Sequence, residues 1–451
     1  MRRCWLDCLA MIVCLVPNTS VIGETDRMAE GRALYAAGNY AGAIVAFTDA
    51  IRATPDDPKA YEARAAAYLR ANDAVHAIQD LDEAIRRDPV NVAAYTNRSV
   101  ADLALGQSEA AIRDASEAIR LRPDGAATAY SNRANGLSRL GGRDGEAAAD
   151  YDRAIAIDPR LANAYVGRGN LFAKAGDNPR AIEAYTTALF YAPRDPRALN
   201  GRGITLIRLR DYAKARLDFS DAIASDPSNA QYYYNRSLTY AASERQRALE
   251  DVEQAILLEP RYDRALRSRG RLLLSYGKYV EAAQTFSAAL SVNPSDALAA
   301  IGRGEAYYRQ HKCNLAMVDF DEGLTHDPNN VRGHLGRSAC LLDLNHDLAG
   351  ARAAADTAIR QKNTDPGAFN LRGVIRERQG DLAGAKEDLD EAIRLSAAFA
   401  AAFGNRSRVN RSLGNAAEGD ADQARAQQLG AGTTMSPQRE QLLDETRTPN
   451  E

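Results

Sequence analysis

Proline recurs at a near-constant interval along this chain. Pro55, Pro89, Pro123, Pro159, Pro193, Pro227, Pro260, Pro294 and Pro328 are separated by 34, 34, 36, 34, 34, 33, 34 and 34 residues. At 451 residues the chain exceeds the size at which a single hydrophobic core keeps growing, and self-similarity at this period points to an array of one small unit rather than to several unlike domains. Two further units end without proline, at Asn363 and Ala397, and a last, incomplete one runs to about Gly430. The reading is eleven full repeats and a terminal cap.

Each unit carries one internal plan. In the second, Tyr61, Ala65 and Tyr68 recur at helical spacing, and Ala77, Leu81 and Ala84 repeat the pattern after a break near Asn72 and Asp73. Two helices of about a dozen residues joined by a tight turn follow. Glycine occupies that turn at Gly38, Gly106, Gly176, Gly277, Gly380 and Gly414, as a left-handed residue at a helix C-terminus favours. Alanine at Ala77, Ala111, Ala147, Ala181, Ala215, Ala248 and Ala282 marks the close approach of the two helices, and the closing proline stops the second.

A 34-residue helix-turn-helix with aromatic, small, aromatic, Gly, Ala, aromatic and Pro in this order resembles the tetratricopeptide repeat. The resemblance covers residues 24–430. It implies an all-α fold, a right-handed α-solenoid superhelix of antiparallel helix pairs, whose first helices line a concave groove that binds peptides or proteins. No unit buries its apolar face alone, so stability comes from stacking. The second helix of the last unit trades apolar positions for Gly419, Gln423 and charge, as a cap does, and residues 431–451 read as a disordered tail.

One position departs from the family, which usually places leucine there. Arginine fills it at Arg64, Arg98, Arg133, Arg168, Arg202, Arg236, Arg269, Arg303, Arg337, Arg372 and Arg406. A buried charge without a partner costs several kcal/mol, which no array tolerates so many times. The second helix supplies an acid at Asp80, Asp114, Asp150, Asp218, Asp251, Asp319, Asp388 and Asp422, and antiparallel pairing brings it level with the arginine. Repeat one lacks both partners, with Glu30 and Ala46 in their places. Repeats five, eight and ten keep the arginine but have Ala184, Thr285 and Ala354, so carbonyls, water or a neighbouring unit must serve. The reading is an internal clip; a row of guanidinium groups gripping an acidic ligand is the alternative.

If the first helices line the groove as in the family, the positions that face it include Ser131, Asn135, Arg139, Asn163, Asn170, Lys174, Arg197, Asn200, Arg208, Tyr234, Arg264, Arg267, Arg271, Tyr308, Arg309, Arg332, Asn370 and Arg378. Asparagine pairs with both donor and acceptor of an extended backbone, and arginine favours carboxylates. An acidic, extended protein segment is the expected ligand. The bland alternative is a solvated surface of an arginine-rich chain.

Four histidines and the two cysteines beyond the leader fall in repeats nine and ten: His311, Cys313, His326, His334, Cys340 and His346. Cys313 and Cys340 lie at adjacent antiparallel helix ends; two reduced cysteines in small packing positions are the default reading, and a disulfide in an oxidising compartment is the alternative. Ligand spacing for a metal is lacking, so no metal and no cofactor are expected.

Phosphate-cradling, dinucleotide, nucleophile-elbow and zinc-protease motifs are also missing, so the chain reads as non-catalytic. The triplets Gly167-Arg168-Gly169, Gly201-Arg202-Gly203 and Gly302-Arg303-Gly304 fall mid-helix and read as packing. At its start, Met1-Arg2-Arg3, an apolar stretch from Leu9 to Val16 and small residues to Gly23 outline a secretory signal peptide over residues 1–23. This points to a periplasmic or secreted scaffold with no membrane span after cleavage; an uncleaved tether is the alternative. A cytosolic interaction protein recognising nucleic acid is a second reading, disfavoured by the net charge of −3 and the few aromatics among the groove arginines.

Overall fold

The computed structural model describes residues 24–430 apart from 241, 345 and 346. The leader at 1–23, the tail at 431–451 and His346 therefore lie outside the described residues. Among the described residues the regular elements are twenty-four α-helices and two short 3-10 turns, with no strand.

Local chemistry sets each boundary. The first helix of repeat two, Pro58–Arg70, opens with proline, whose missing N–H costs nothing there, and Asp57 caps it by accepting from the Lys59 N–H at 3.0 Å. The second helices of repeats one to nine each end two residues before the recurring proline, as Tyr40–Ala53 and Ala74–Arg87 do before Pro55 and Pro89. Between the two helices of a repeat the chain turns through a left-handed residue: Gly106 has φ +76°, and the Gln107 N–H closes the turn on the Asp102 carbonyl at 2.8 Å. Asn72, Arg210 and His311 take the same conformation without being glycine.

The described chain divides into two units between Asp211 and Tyr212. The first holds the antiparallel pairs of repeats one to five and the first helix of repeat six, Pro196–Arg208. The second holds the second helix of repeat six, Tyr212–Ser225, and the pairs of repeats seven to twelve. The terminal repeat, expected to be incomplete, forms both helices, Ala400–Ser412 and Ala416–Gln428. Repeat seven, one residue shorter than its neighbours, loses most of a turn and a half. Its first helix stops at Ser237, and Arg216 donates to the Thr239 carbonyl at 2.8 Å beyond that end.

In repeats five, eight and nine the core is one aromatic ring of the second helix, Tyr185, Phe286 or Phe320, wedged between first helices. A Cβ at Gly302 would stand 2.5 Å from Phe286, and one at Gly270 would stand 2.7 Å from the same ring. Phe286 is fully buried. Gly167 meets Tyr151 in the same way at 2.3 Å. The glycine-flanked arginines are thus packing positions within helices, and alanine at Ala77, Ala147 and Ala282 is fully buried where paired helices meet.

Candidate functional site

The recurrent arginine sits where three kinds of partner converge. In repeat two Arg64 places Nε and Nη2 on Asp80 at 2.8 and 2.6 Å, and Nη1 on Thr48 of the preceding repeat at 3.0 Å. Arg98 holds Asp114 at 2.6 and 2.7 Å and Asp82 at 2.6 Å. Arg133 with Asp150, Arg236 with Asp251, Arg303 with Asp319, Arg372 with Asp388 and Arg406 with Asp422 repeat the two-pronged geometry. Arg202 donates to Thr186 at 3.2 Å, and Asp218 is buried. One turn earlier on the same helix an aromatic ring lies under the guanidinium, as Tyr95 does under Arg98 and Phe369 under Arg372, 5.6 and 5.5 Å from the ring centre.

The repeats that lack the acid show what substitutes for it. In repeat eight the Thr285 hydroxyl accepts from Arg269 at 2.8 Å, while Glu253 of the preceding repeat lies at 3.1 Å. Arg168 and Arg337, facing Ala184 and Ala354, turn to Asp152 and Asp321 of the preceding repeats at 3.1 and 2.8 Å. The guanidinium is also less buried than the stripe implies: in the Arg372–Asp388 pair the side chains are 16% and 4% exposed. The carboxylate is the dehydrated member, so losing the arginine strands the acid.

Most residues expected to face a ligand in the first unit are engaged within the protein. Asn135 and Asn170 accept from the Tyr151 and Tyr185 hydroxyls, each at 2.6 Å. Arg139 and Arg208 donate to the Leu103 and Ala173 carbonyls at the end of the preceding first helix. Lys174 pairs with Asp144 at 2.9 Å, and Asn163 accepts from Arg197. Asn200 is half-buried. Backbone carbonyls as acceptors leave no trace in a sequence, which is why these arginines read as available.

The second unit is different. Arg264 and Arg271 are exposed on the helix Asp263–Ser275, and Arg267 beside them reaches Asp296, the buried cap of the next first helix, at 2.5 Å. From repeat ten Arg332 donates to the buried Glu305 of repeat nine, and its Nε is buried with no hydrogen bond. Arg271 is reached by solvent yet crowded by protein: desolvation, then the like charges of Arg332 and Arg267, pull its pKa down against Tyr234 and Glu305. Three guanidiniums therefore share a face with two buried carboxylates. Arg309, half-buried, ends the helix that carries Glu305.

Two features escaped the residue pattern or were left open by it. Asp102 in repeat three is buried beside Asp114, and desolvation, followed by that neighbouring charge, pushes its pKa up to about 6. Cys313 and Cys340 are buried as two free thiols and are not joined in a disulfide.

Sequence comparison fits this architecture. The tetratricopeptide repeat model matches residues 28–92, 166–230, 237–297 and 277–316, and a second TPR repeat model matches 137–176. Human tetratricopeptide repeat protein 6 is 30% identical over 189 residues, 41% of this chain and 36% of its own length. Mouse DnaJ homolog subfamily C member 7 is 27% identical over 196 residues, 41% and 40% of the two chains. Rat serine/threonine-protein phosphatase 5 is 36% identical over 90 residues, 20% and 18%. The chain thus spans two-fifths or less of the length of these relatives. Among solved structures the APC/C hetero-tetramer Cut9-Hcn1 aligns with TM-score 0.48 at 15% identity over 91% of this chain and 88% of that one. Yeast Tom70 aligns with TM-score 0.37 at 15% identity over 93% and 94%. Among the described residues no helix is long and apolar enough to cross a membrane.

Proposed function

The chain belongs to the tetratricopeptide repeat family, a scaffold for protein–protein interaction, and we propose that it binds an extended, acidic segment of a protein partner without catalysing a reaction. The crowding of Arg267, Arg271 and Arg332 carries this reading. Guanidiniums that repel one another gain when a carboxylate arrives between them. Arg264 continues the positive face along the same helix. An envelope location is part of the proposal and rests on the leader pattern of residues 1–23; N-terminal sequencing of the mature protein is expected to begin at Glu24.

The structure selects the residues for the test. Arg267 and Arg332 hold buried acids, so replacing either also loosens the scaffold. Arg264 and Arg271 are exposed on one helix and are replaced together, with the melting temperature of the variant measured beside its binding. A fluorescent glutamate-rich peptide and its glutamine counterpart are titrated into the whole chain and into the Arg264→Ala/Arg271→Ala variant at two salt concentrations. The glutamate peptide should bind, weaken about tenfold in the variant, or ~1.4 kcal/mol, and weaken with salt. Equal binding of the two peptides, or indifference to the variant, overturns the reading.

A further inference from the structure

Cys313 and Cys340 come from different repeats and meet in one apolar cluster with Tyr308, Ala316, Ala339 and Leu342. Cys313 is the first residue of the helix Cys313–His326, whose free N–H groups favour a thiolate. It lines an open cavity of about 430 Å3 with His311, Lys312, Leu315, Asp343 and Leu344. Asp343 and Leu344 lie one helical turn beyond Cys340 on the helix Val331–Leu344, so that face of the helix meets the first turn of Cys313–His326. The two sulfurs differ in access: Cys313 is 7% exposed at the cavity wall and Cys340 is 0% exposed behind it. The neighbouring thiol pulls the pKa of Cys313 down, against desolvation and the charge of Asp343, while the same neighbour and desolvation push that of Cys340 up.

We propose that Cys313 and Cys340 are a peroxide-reactive pair, with Cys313 the attacking sulfur and Cys340 the resolving one, and that their disulfide locks repeat nine to repeat ten. The Cys313 thiolate attacks one peroxide oxygen and the O–O bond breaks. Cys313 becomes a sulfenic acid, and the other oxygen leaves as hydroxide and takes up a proton. The Cys340 sulfur then attacks the sulfenic sulfur, the S–O bond breaks, and that hydroxide leaves as water with the Cys340 proton. Two thiols lose two electrons, and hydrogen peroxide becomes two waters. The bond ties the second helix of repeat nine to the first helix of repeat ten, beside the Tyr308 hydroxyl that hydrogen-bonds Asp343. Because neighbour interfaces set the stability of a repeat array, the oxidised chain should unfold at higher temperature.

The test treats the whole folded chain with hydrogen peroxide and reads tryptic peptides, so that Cys4, Cys8 and Cys14 do not interfere. Expected is a linked pair of peptides, 313–332 with 338–352, two mass units lighter than the two thiol peptides together, reversed by dithiothreitol with a return of the lower melting temperature. In Cys340→Ser, or Cys340→Ala if the serine variant misfolds, dimedone should trap a sulfenic acid on Cys313. In Cys313→Ser, Cys340 should stay unlabelled until the chain is denatured. No linked peptide from the folded wild type, or labelling of Cys340 in Cys313→Ser as fast as of Cys313 in Cys340→Ser, overturns the assignment.

Discussion

Arg303 grips Asp319 through Nε and Nη2 at 2.9 and 2.7 Å while its remaining nitrogen donates to Ser287 of the preceding repeat at 3.1 Å. One side chain thereby couples the two helices of its own repeat and the repeat to its neighbour. Asp319 is 3% exposed, so Arg303→Ala leaves a dehydrated carboxylate without its cation and should cost about 2–4 kcal/mol. The double variant Arg303→Leu/Asp319→Leu removes both charges and should lie closer to wild type. Urea midpoints of the three proteins measure this, and an unshifted midpoint for Arg303→Ala refutes the clip.

Arg168 offers the converse experiment. Its Nε is buried with no hydrogen bond, and Ala184, 3% exposed, fills the place that holds aspartate in other repeats. Ala184→Asp should therefore complete the fork and raise stability by about 0.5–1.5 kcal/mol. The same change made with Arg168→Ala should destabilise, because the new acid is then buried alone. A double-mutant cycle separates the pair from the volume change, and destabilisation by Ala184→Asp in both backgrounds would remove the case for it.

These contacts also mark how far residue patterns reach. The pairing of Arg64 with Asp80 was legible because both partners recur at fixed positions in repeat after repeat. A neighbouring unit was among the substitutes open where the acid is missing, but the acceptor itself was not legible, because it varies from Thr48 to Asp82, Asp152 and Glu253, and any oxygen at that point suffices. Helix pairing and turns followed from spacing, whereas the engagement of Arg139 and Arg208 did not, since their acceptors are main-chain carbonyls. Asp102 left a signal that could have been used: an isolated acid in the apolar stripe of the helix Val92–Ala104.

Asp102 should make stability depend on pH in the sense opposite to a salt-bridged acid. Its folded pKa of about 6 lies above the ordinary carboxylate value, so the folded state holds the proton more tightly than the unfolded chain. Its penalty is absent below about pH 4, grows as pH rises toward 6, and is complete above that. Asp102→Asn, which keeps a donor toward Asp114, should stabilise the protein by on the order of 1–2 kcal/mol at pH 8 and by little at pH 4. Urea midpoints of both proteins between pH 4 and 8 test this; a gain independent of pH would mean that Asp102 does not titrate in this range.

Arg210 places a Cβ where the turn favours glycine. Its φ is +61°, against +77°, +76° and +80° at Gly38, Gly106 and Gly176 in corresponding turns. A left-handed conformation costs a residue with a Cβ about 1–2 kcal/mol, while glycine gives back part of that gain through a freer unfolded chain. The turn itself is held by main-chain bonds, from Arg210 to the Ile207 carbonyl at 2.8 Å and from Asp211 to the Leu206 carbonyl at 2.9 Å, and neither needs the side chain. Arg210→Gly should therefore raise stability by roughly 0.5–1 kcal/mol, and Gly176→Ala should lower it by about 1 kcal/mol. The two urea midpoints should move in opposite directions; a fall for Arg210→Gly would show that the exposed side chain holds the turn by a contact worth more than the backbone strain.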